Sequence, residues 1–371
     1  MRKSALLMLY IMVIWFVISF VTNLIGPLMP TIISDFHLSK SLAGVLPFSF
    51  FLAYGLISIP AGALVEARGP RTTLLAAFAL NLAGCLAISL WPVYAVVIPG
   101  LFVIGLGMAG LQVVLNPLMR TTGGEAHFAF FAVMAQLVFG LASYLSPLIY
   151  AALMQQPGAA GRPLVWVQFY WWFVIVYVVL IAITAAVRVP SLTLTESERT
   201  GTVGTYRELL REPTVQLFFL GTFAYVGTEQ GLADWMSLFL GTYHQFSPER
   251  EGAHAVSWFW GMMSIGCVFG LVLLRLLDAK LVLGVFTTLA LGCVGLALFG
   301  ILCTGILGGA VVPLLVGMLG DRLGLRLAML AVFVTLGFIL SIAFWARPLI
   351  RNETVGVLEL FSLRRRSNAH D

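Results

Sequence analysis

Apolar residues follow one another in long blocks that short polar segments separate. Eight blocks are well defined, and they cover 5–33, 43–65, 72–91, 93–118, 128–153, 164–187, 214–240 and 255–277. A longer apolar stretch at 281–320 and a last block at 326–346 follow them. A helix needs about 20 residues to cross about 30 Å of hydrocarbon, whereas barrel strands alternate over about 10 residues. The pattern therefore predicts an all-α polytopic membrane protein.

The composition agrees with this prediction. The chain of 371 residues is 60% hydrophobic and only 10% charged, whereas soluble domains carry roughly 25% charged residues. Too little polar surface exists to cover a water-soluble globule. The first block is too long for the apolar core of a signal peptide, so we expect it to be retained as the first span.

The charged segment 188–213 divides the chain after six blocks. Six spans, a charged linker and a second half form the layout of a duplicated transporter. We therefore predict an N-terminal six-helix bundle at 1–187 and a cytoplasmic linker at 188–213. An incomplete C-terminal bundle at 214–346 and a polar, basic tail at 347–371 complete the prediction.

The positions of Lys and Arg predict the orientation. Eleven basic residues fall on the side of the N-terminus: Arg2, Lys3, Arg68, Arg71, Arg120, Arg188, Arg199, Arg207, Arg211, Arg275 and Lys280. Only Lys40, Arg162 and Arg250 fall on the other side. Positive charge stays on the cytoplasmic side, so we predict an inner-membrane protein with a cytoplasmic N-terminus. The net charge of +5 is explained in this way and does not indicate a nucleic-acid partner.

The C-terminal half is irregular. The stretch 281–320 would make about 60 Å of helix, which is twice the apolar thickness of a bilayer. Two spans with almost no loop would give about 11 spans and an external C-terminus. The tail, however, carries Arg347, Arg351, Arg364, Arg365 and Arg366, which favour the cytoplasm. The sequence leaves the topology of this half open.

A short charged loop joins the second and third blocks. It reads Gly-Ala-Leu-Val-Glu-Ala-Arg-Gly-Pro-Arg from Gly62 to Arg71. This resembles the loop signature of the major facilitator superfamily, with Glu66 in place of the usual Asp. The resemblance implies that Gly62, Glu66, Gly69 and Arg71 latch one conformation of a two-state bundle. The alternative is an ordinary charged turn between two helices.

Further motifs resemble the fucose/galactose/glucose symporter family within that superfamily. They are Phe20 to Leu24, Ser58 to Gly62, Asn116-Pro117, Tyr225 to Gln230 and Gly308 to Pro313. The resemblance implies a fold of two helical bundles with 12 helices, and import of monosaccharides with protons or sodium ions.

Two departures from that family are visible. The family has carboxylates in the first and fourth spans, but here Asn23 to Gly26 contains no acid and the fourth-span position is Gln112. In addition, Ile301 to Gly305 leads directly into the Gly308 motif, so about one span is missing from the C-terminal half.

Polar residues within the apolar blocks are the candidate binding residues. Glu229 lies about 22 Å along its helix, where an acid is costly and is expected to be functional. We predict a coupling role for Glu229 and a sugar site that also includes Asn23, Gln112, Asn116, Gln136, Gln230 and Trp235. Amides can bind several hydroxyl groups at once, and an aromatic ring can stack on a sugar. The alternative for each amide is hydrogen bonding between helices.

The sequence therefore predicts a secondary transporter that carries a monosaccharide by alternating access, with a proton or sodium ion as the coupling cation. We expect a single chain to suffice. The alternatives are a degenerate or non-transporting protein on a carrier fold, such as a sensor, and an exporter of another small molecule. No phosphate-binding loop, nucleophile motif or metal-ligand spacing occurs in the sequence, so we expect neither an enzyme nor a cofactor.

Overall fold

A computed structural model describes residues 2–124, 128–156, 162–187, 189–192, 208, 211–273, 279–296, 336–337 and 340–341. Most of the predicted linker, most of 281–320 and of 326–346, and the basic tail lie outside these residues. The Gly308 to Pro313 motif and the predicted gap after Gly300 also lie outside them.

Every regular element in the described part is helical. The first six helices are α1 (Arg2–Thr22), α2 (Ile25–Phe36), α3 (Lys40–Leu90), α4 (Tyr94–Gly123), α5 (Phe128–Met154) and α6 (Val167–Ala186). They are followed by α7 (Pro213–His244), a π-helical turn (Pro248–Gly252), α8 (Ala253–Leu273) and α9 (Ala279–Leu296). The prediction of an all-α protein is confirmed.

Five stretches of the described part are long and apolar enough to cross a membrane. They are Ala5–Phe36, Lys40–Leu90, Tyr94–Gly123, Phe130–Met154 and Val167–Ala186. With 51 residues, α3 would measure about 75 Å if straight, which is enough for two crossings. Two of the predicted blocks, 43–65 and 72–91, therefore fall within this one element.

The kink in α3 lies at Gly69. Its φ of 78° and ψ of 169° are not helical, and L side chains rarely adopt such a positive φ. Pro70 follows and lacks the N–H group that a continuing helix would need. Arg71 then donates hydrogen bonds to the carbonyl oxygens of Thr184, at 3.3 Å, and Ala185. These carbonyls belong to the last turn of α6, where a cation is favourable.

The first predicted span is a helix with a break. Asn23 and Leu24 separate α1 from α2, and no backbone hydrogen bond from Leu24 N–H to the Phe20 carbonyl is present there. Pro27 has no N–H, so the carbonyl oxygen of Asn23 cannot be bonded in the helical way either. The break leaves backbone polar groups without their helical hydrogen bonds in the middle of the span.

The two ends of the bundle need names. We call the end with the start of α1 and the kink at Gly69 the N-side, and the end with His37 and the π-helical turn the far side. Within the N-terminal half, α3 packs against α4 and α6, and α1 packs against α4 and α5. From the second half, α7 and the π-helical turn pack against α2, and α8 packs against α5.

A half-buried acid fixes the far side of the N-terminal half. Asp35 Oδ2 accepts hydrogen bonds from Trp166 Nε1 at 2.8 Å and from the backbone N–H of Leu164 at 3.0 Å. Thr31 and Tyr150 join α2 to α5 through their hydroxyl groups, 2.5 Å apart. These contacts hold α2, the element that meets the second half, in a fixed place on its own bundle.

Candidate functional site

Asn23 lies at the break between α1 and α2 and is almost completely buried. Its Nδ2 donates to the carbonyl oxygen of Ser19 at 3.0 Å and to Ser143 Oγ on α5 at 2.9 Å. Ser19 Oγ and Ser143 Oγ are themselves 2.7 Å apart. Asn23 Oδ1 has no hydrogen-bond partner among the described residues. The amide is therefore positioned by two hydrogen bonds but keeps one acceptor available.

The predicted residues of α7 differ in their exposure. Glu229 is half-buried and has Tyr225, one turn earlier, as a hydrogen-bonding partner. Gln230 is 5% exposed, and Trp235 is fully buried with an Nε1 that lacks a partner in the described part. Glu229 and Tyr225 are thus the accessible polar pair on this helix, whereas Trp235 presents no surface in this conformation.

The predicted amides of α4 and α5 reach open surface. Gln112 is half-buried, while Asn116 and Gln136 are exposed. Gln136 lines a cavity of about 210 Å³ between α5 and α8, whose other lining residues are Ala132, Val133, Leu137, Cys267 and Val268. Exposed amides on apolar, membrane-length helices indicate a water-filled space, because hydrocarbon cannot bind them.

The structure brings some of the predicted residues together and leaves others apart. Asn23 and the polar segment of α7 lie on elements in direct contact, since a Cβ on Gly26 would stand 2.9 Å from Asp234 Cα. Gln112 and Asn116 share a helix face at a spacing of four residues. Gln136, in contrast, belongs to the cavity between α5 and α8.

The loop predicted to be a latch is exposed in part. Glu66 and Arg71 are exposed, and Gly62 is half-buried. The hydrogen bonds of Arg71 described above go to α6, within the same half of the molecule. The latch between the halves stays a prediction.

The sequence analysis missed Ser19 and Ser143, which hold Asn23. Serines in apolar blocks are common, so only the spacing of four residues between Ser19 and Asn23 indicated a pair. From the sequence, Asp234 was only a weaker candidate than Glu229 and was expected nearer water, but it is buried beside the contact of α2 with α7. Conversely, Asn81 Nδ2 donates to the carbonyl oxygen of Ala77 in its own helix at 3.0 Å. This bond lies within one helix and does not join two helices, and Asn81 Oδ1 has no partner among the described residues.

Comparisons with known proteins identify relatives of this chain. Over 385 aligned positions, the chain is 26% identical to a glucose/galactose transporter of Brucella abortus, covering 88% of this chain and 90% of the relative. It is 28% identical over 148 residues to the L-fucose-proton symporter of Escherichia coli, which covers 36% of this chain and 33% of that protein.

Solved structures support the same fold. A bacterial homologue of the human lysosomal transporter Spinster superimposes with a TM-score of 0.62 at 14% identity, covering 94% of this chain and 97% of that one. The fucose:proton symporter of Escherichia coli superimposes with a TM-score of 0.56 at 17% identity, covering 93% of this chain and 92% of that one. The family model of the Major Facilitator Superfamily matches residues 11–308. The chain is a multi-pass membrane protein that belongs to the Major Facilitator Superfamily.

Proposed function

We propose that this protein carries a monosaccharide across the cell's inner membrane by alternating access, with a proton or a sodium ion as the coupling cation. The N-side faces the cytoplasm in this proposal, because the sequence assigns eleven basic residues to the side of the N-terminus. Glucose, galactose and fucose are the first sugars to consider, since relatives that match this chain carry those sugars in their names.

One observation carries the proposal: polar side chains of α1, α4, α5 and α7 lie in the middle of apolar helices and keep hydrogen-bonding capacity available. Asn23 Oδ1 has no partner in the described part, and Asn116 and Gln136 are exposed. A sugar offers several hydroxyl groups, each able to donate and accept, which amides can match. A large apolar cavity would instead favour an exporter of hydrophobic compounds.

Glu229 is the coupling candidate. Position 112 is a glutamine and the segment around Asn23 has no acid, so the residues at those positions cannot bind and release protons. Glu229 is half-buried and paired with Tyr225, whose side chain is 54% exposed. A carboxyl group between a buried helix face and an accessible one can exchange a cation with water on its accessible side.

The test is uptake of radiolabelled glucose, galactose and fucose into liposomes that contain the purified full-length protein. Imposed proton and sodium gradients are applied separately. We expect one sugar to accumulate and one gradient to stimulate its uptake. Uptake that neither gradient changes would contradict the coupling role of Glu229 and indicate a uniporter.

Variants then test the site. Gln112→Ala and Glu229→Ala should abolish uptake while the protein remains folded in the membrane, because each removes a polar group from the accessible surface. Asn81→Ala is the matched control, since that amide is fully buried, unlike Gln112 and Glu229, and should be dispensable for uptake. Normal transport by both site variants would disprove the assignment of these residues.

A second candidate is a protein that has lost transport. The alignment with the glucose/galactose transporter spans 385 positions, but only 88% of this 371-residue chain takes part in it. The alignment thus has more positions than this chain contributes residues. The relative therefore has segments that this chain lacks, in agreement with the span predicted to be missing. Topology reporters fused after Gly300 and at Arg364 would distinguish a rearranged, complete bundle from a broken one. A folded protein that takes up none of the sugars would favour this candidate.

A further inference from the structure

A carboxyl group without an assigned role lies where the two halves meet. Asp234 is 3% exposed, and its Oδ2 has no hydrogen-bond partner among the described residues. Its Cα lies 2.9 Å from the position that a Cβ on Gly26 would occupy. Because Gly26 has no side chain, α2 packs directly on the backbone that carries this acid.

No positive charge from the neighbouring elements reaches Asp234 Oδ2 in the described part. The elements packed against α7 are α2, the π-helical turn and α8. Their ionisable groups are Asp35, Glu249, Arg250, Glu251, His254 and Cys267. Arg250 pairs with Glu251 at 3.7 Å, with both side chains largely exposed, and Asp35 accepts its bonds from Trp166 and Leu164. On α7 itself, Tyr225, Glu229, Tyr243 and His244 are the other ionisable groups.

An ionised carboxylate in this position would be costly. It would lose its hydration and gain neither a counter-charge nor a full set of hydrogen bonds. A protonated carboxyl group is neutral and fits the same space. If α2 and α7 moved apart on the far side, water would reach Asp234 and the ionised form would become favourable.

We propose that Asp234 is a proton-binding site, and that a proton bound there is required for α2 and α7 to close the far side of the bundle. The proposal rests on the alternating-access part of the proposed function and is independent of the sugar. It is distinct from the coupling role of Glu229, which lies five residues nearer the N-side. The closed contact holds one proton more than the open one, so rising pH shifts the population towards the open form. Linkage of one proton changes the ratio of the two forms by about tenfold per pH unit where their protonation differs.

The experiment measures the far-side opening without any sugar. Spin labels are attached to Ser34→Cys on α2 and Thr242→Cys on α7, two exposed positions, after Cys85, Cys267, Cys293 and Cys303 are replaced by serine. The distance between the labels is recorded by double electron–electron resonance in lipid nanodiscs from acidic to alkaline pH. We expect the short distance at acidic pH and a growing population of longer distances as the pH rises.

Asp234→Asn should retain the short distance at every pH, because the amide is neutral and similar in shape to the protonated acid. Glu249→Gln is the matched control: it removes an acid from the π-helical turn and should keep the pH response. A wild-type protein whose distances do not change with pH would overturn the proposal, whatever the variants do. So would an Asp234→Asn variant that responds to pH like the wild type.

Sodium is tested as the competing ligand. If sodium at constant pH changes the wild-type distances and fails to do so in Asp234→Asn, the site binds sodium and the proton proposal is wrong. An absence of sugar uptake would contradict the proposed function but would leave this measurement unaffected, since no sugar is present.

Discussion

Among the residues that the structure describes, the contact of α2 with α7 and the contact of α5 with α8 join the two halves in different ways. Where α2 meets α7, Gly26 stands against the backbone of Ala233 and Asp234. Where α5 meets α8, Gly140 stands against the side chain of Ser264, whose Cβ would be 2.8 Å from a Cβ on Gly140. Glycine allows close approach in both, but only the first is backbone against backbone. A side chain can rotate to relieve a clash, whereas a helix backbone must move as a whole.

The two contacts also differ in polarity. A hydrogen bond of 2.6 Å from Ser257 Oγ to the carbonyl oxygen of Tyr144 crosses the contact of α5 with α8. The contact of α2 with α7 buries Asp234, whose Oδ2 is without a described partner. No acid lies on α5 or α8, so the contact between them should separate with little dependence on pH. The contact of α2 with α7 is the one that ionisation can open.

The largest effect is expected for Gly26→Ala. The added Cβ would meet the carbonyl oxygen of Ala233 and Asp234 Cα, so α2 and α7 must move apart. Overpacking of this kind costs about 1–3 kcal/mol, which lowers the ratio of closed to open protein by about fivefold to over a hundredfold. The labels on Ser34→Cys and Thr242→Cys should report an open far side even at acidic pH. Gly55→Ala is the control, because nothing lies within 4 Å of that position. An unchanged distance distribution in Gly26→Ala would contradict the rigid contact.

A smaller effect is expected for Gly140→Ala. The new Cβ meets the Ser264 side chain, which can rotate, so sugar uptake should fall by several-fold and not vanish. Combining it with Ser264→Gly removes the opposing atoms and should restore most of the uptake. Gly266→Ala, on the same helix as Ser264 and with nothing within 4 Å, should behave like the wild type. If the double variant were no better than Gly140→Ala, the clash with Ser264 would not be the cause.

The smallest effect is expected for Ser257→Ala. It removes the hydrogen bond to Tyr144 across α5 and α8, which contributes about 1 kcal/mol. We expect a modest decrease in the thermal unfolding temperature of the purified protein and uptake near the wild-type rate. Ser264→Ala removes a hydroxyl that bonds only its own helix, to the Trp260 carbonyl at 2.9 Å, and should change the unfolding temperature less. Equal decreases in both variants would show that the bond between the halves adds no stability.

Much of the fold could be predicted from the sequence because membrane insertion depends on local hydropathy. The blocks at 93–118 and 128–153 correspond to α4 and α5, with ends shifted by a few residues. Gly69 and Pro70 also mark the kink of α3 in the sequence, since glycine and proline both interrupt a helix. The break at Asn23 was not predicted, because the apolar block continues through it and only Pro27 indicated a weakened helix.

The candidate site was predictable only in part. Polar residue types within apolar blocks identified Asn23, Gln112 and Gln136, but the same reasoning selected Trp235, which has no exposed surface in this conformation. Which side of a helix faces a cavity depends on its neighbours. A sequence whose polar residues are not gathered on one face of the helix does not specify that side. Asp234 was ranked below Glu229 for the same reason: its burial comes from α2, which lies about 200 residues away in the chain.

The sequence by itself determined that this protein is a helical membrane protein with motifs typical of the Major Facilitator Superfamily. The reason is that the free energy of transferring apolar side chains into lipid is a sum over local residues. The tertiary structure decided which polar groups find partners. Asp35 and Asp234 are both acids near helix ends or contacts, yet one accepts two hydrogen bonds and the other has an oxygen without a described partner. The difference arises from packing between distant helices, since the free energy of a buried carboxyl group depends on the groups that surround it.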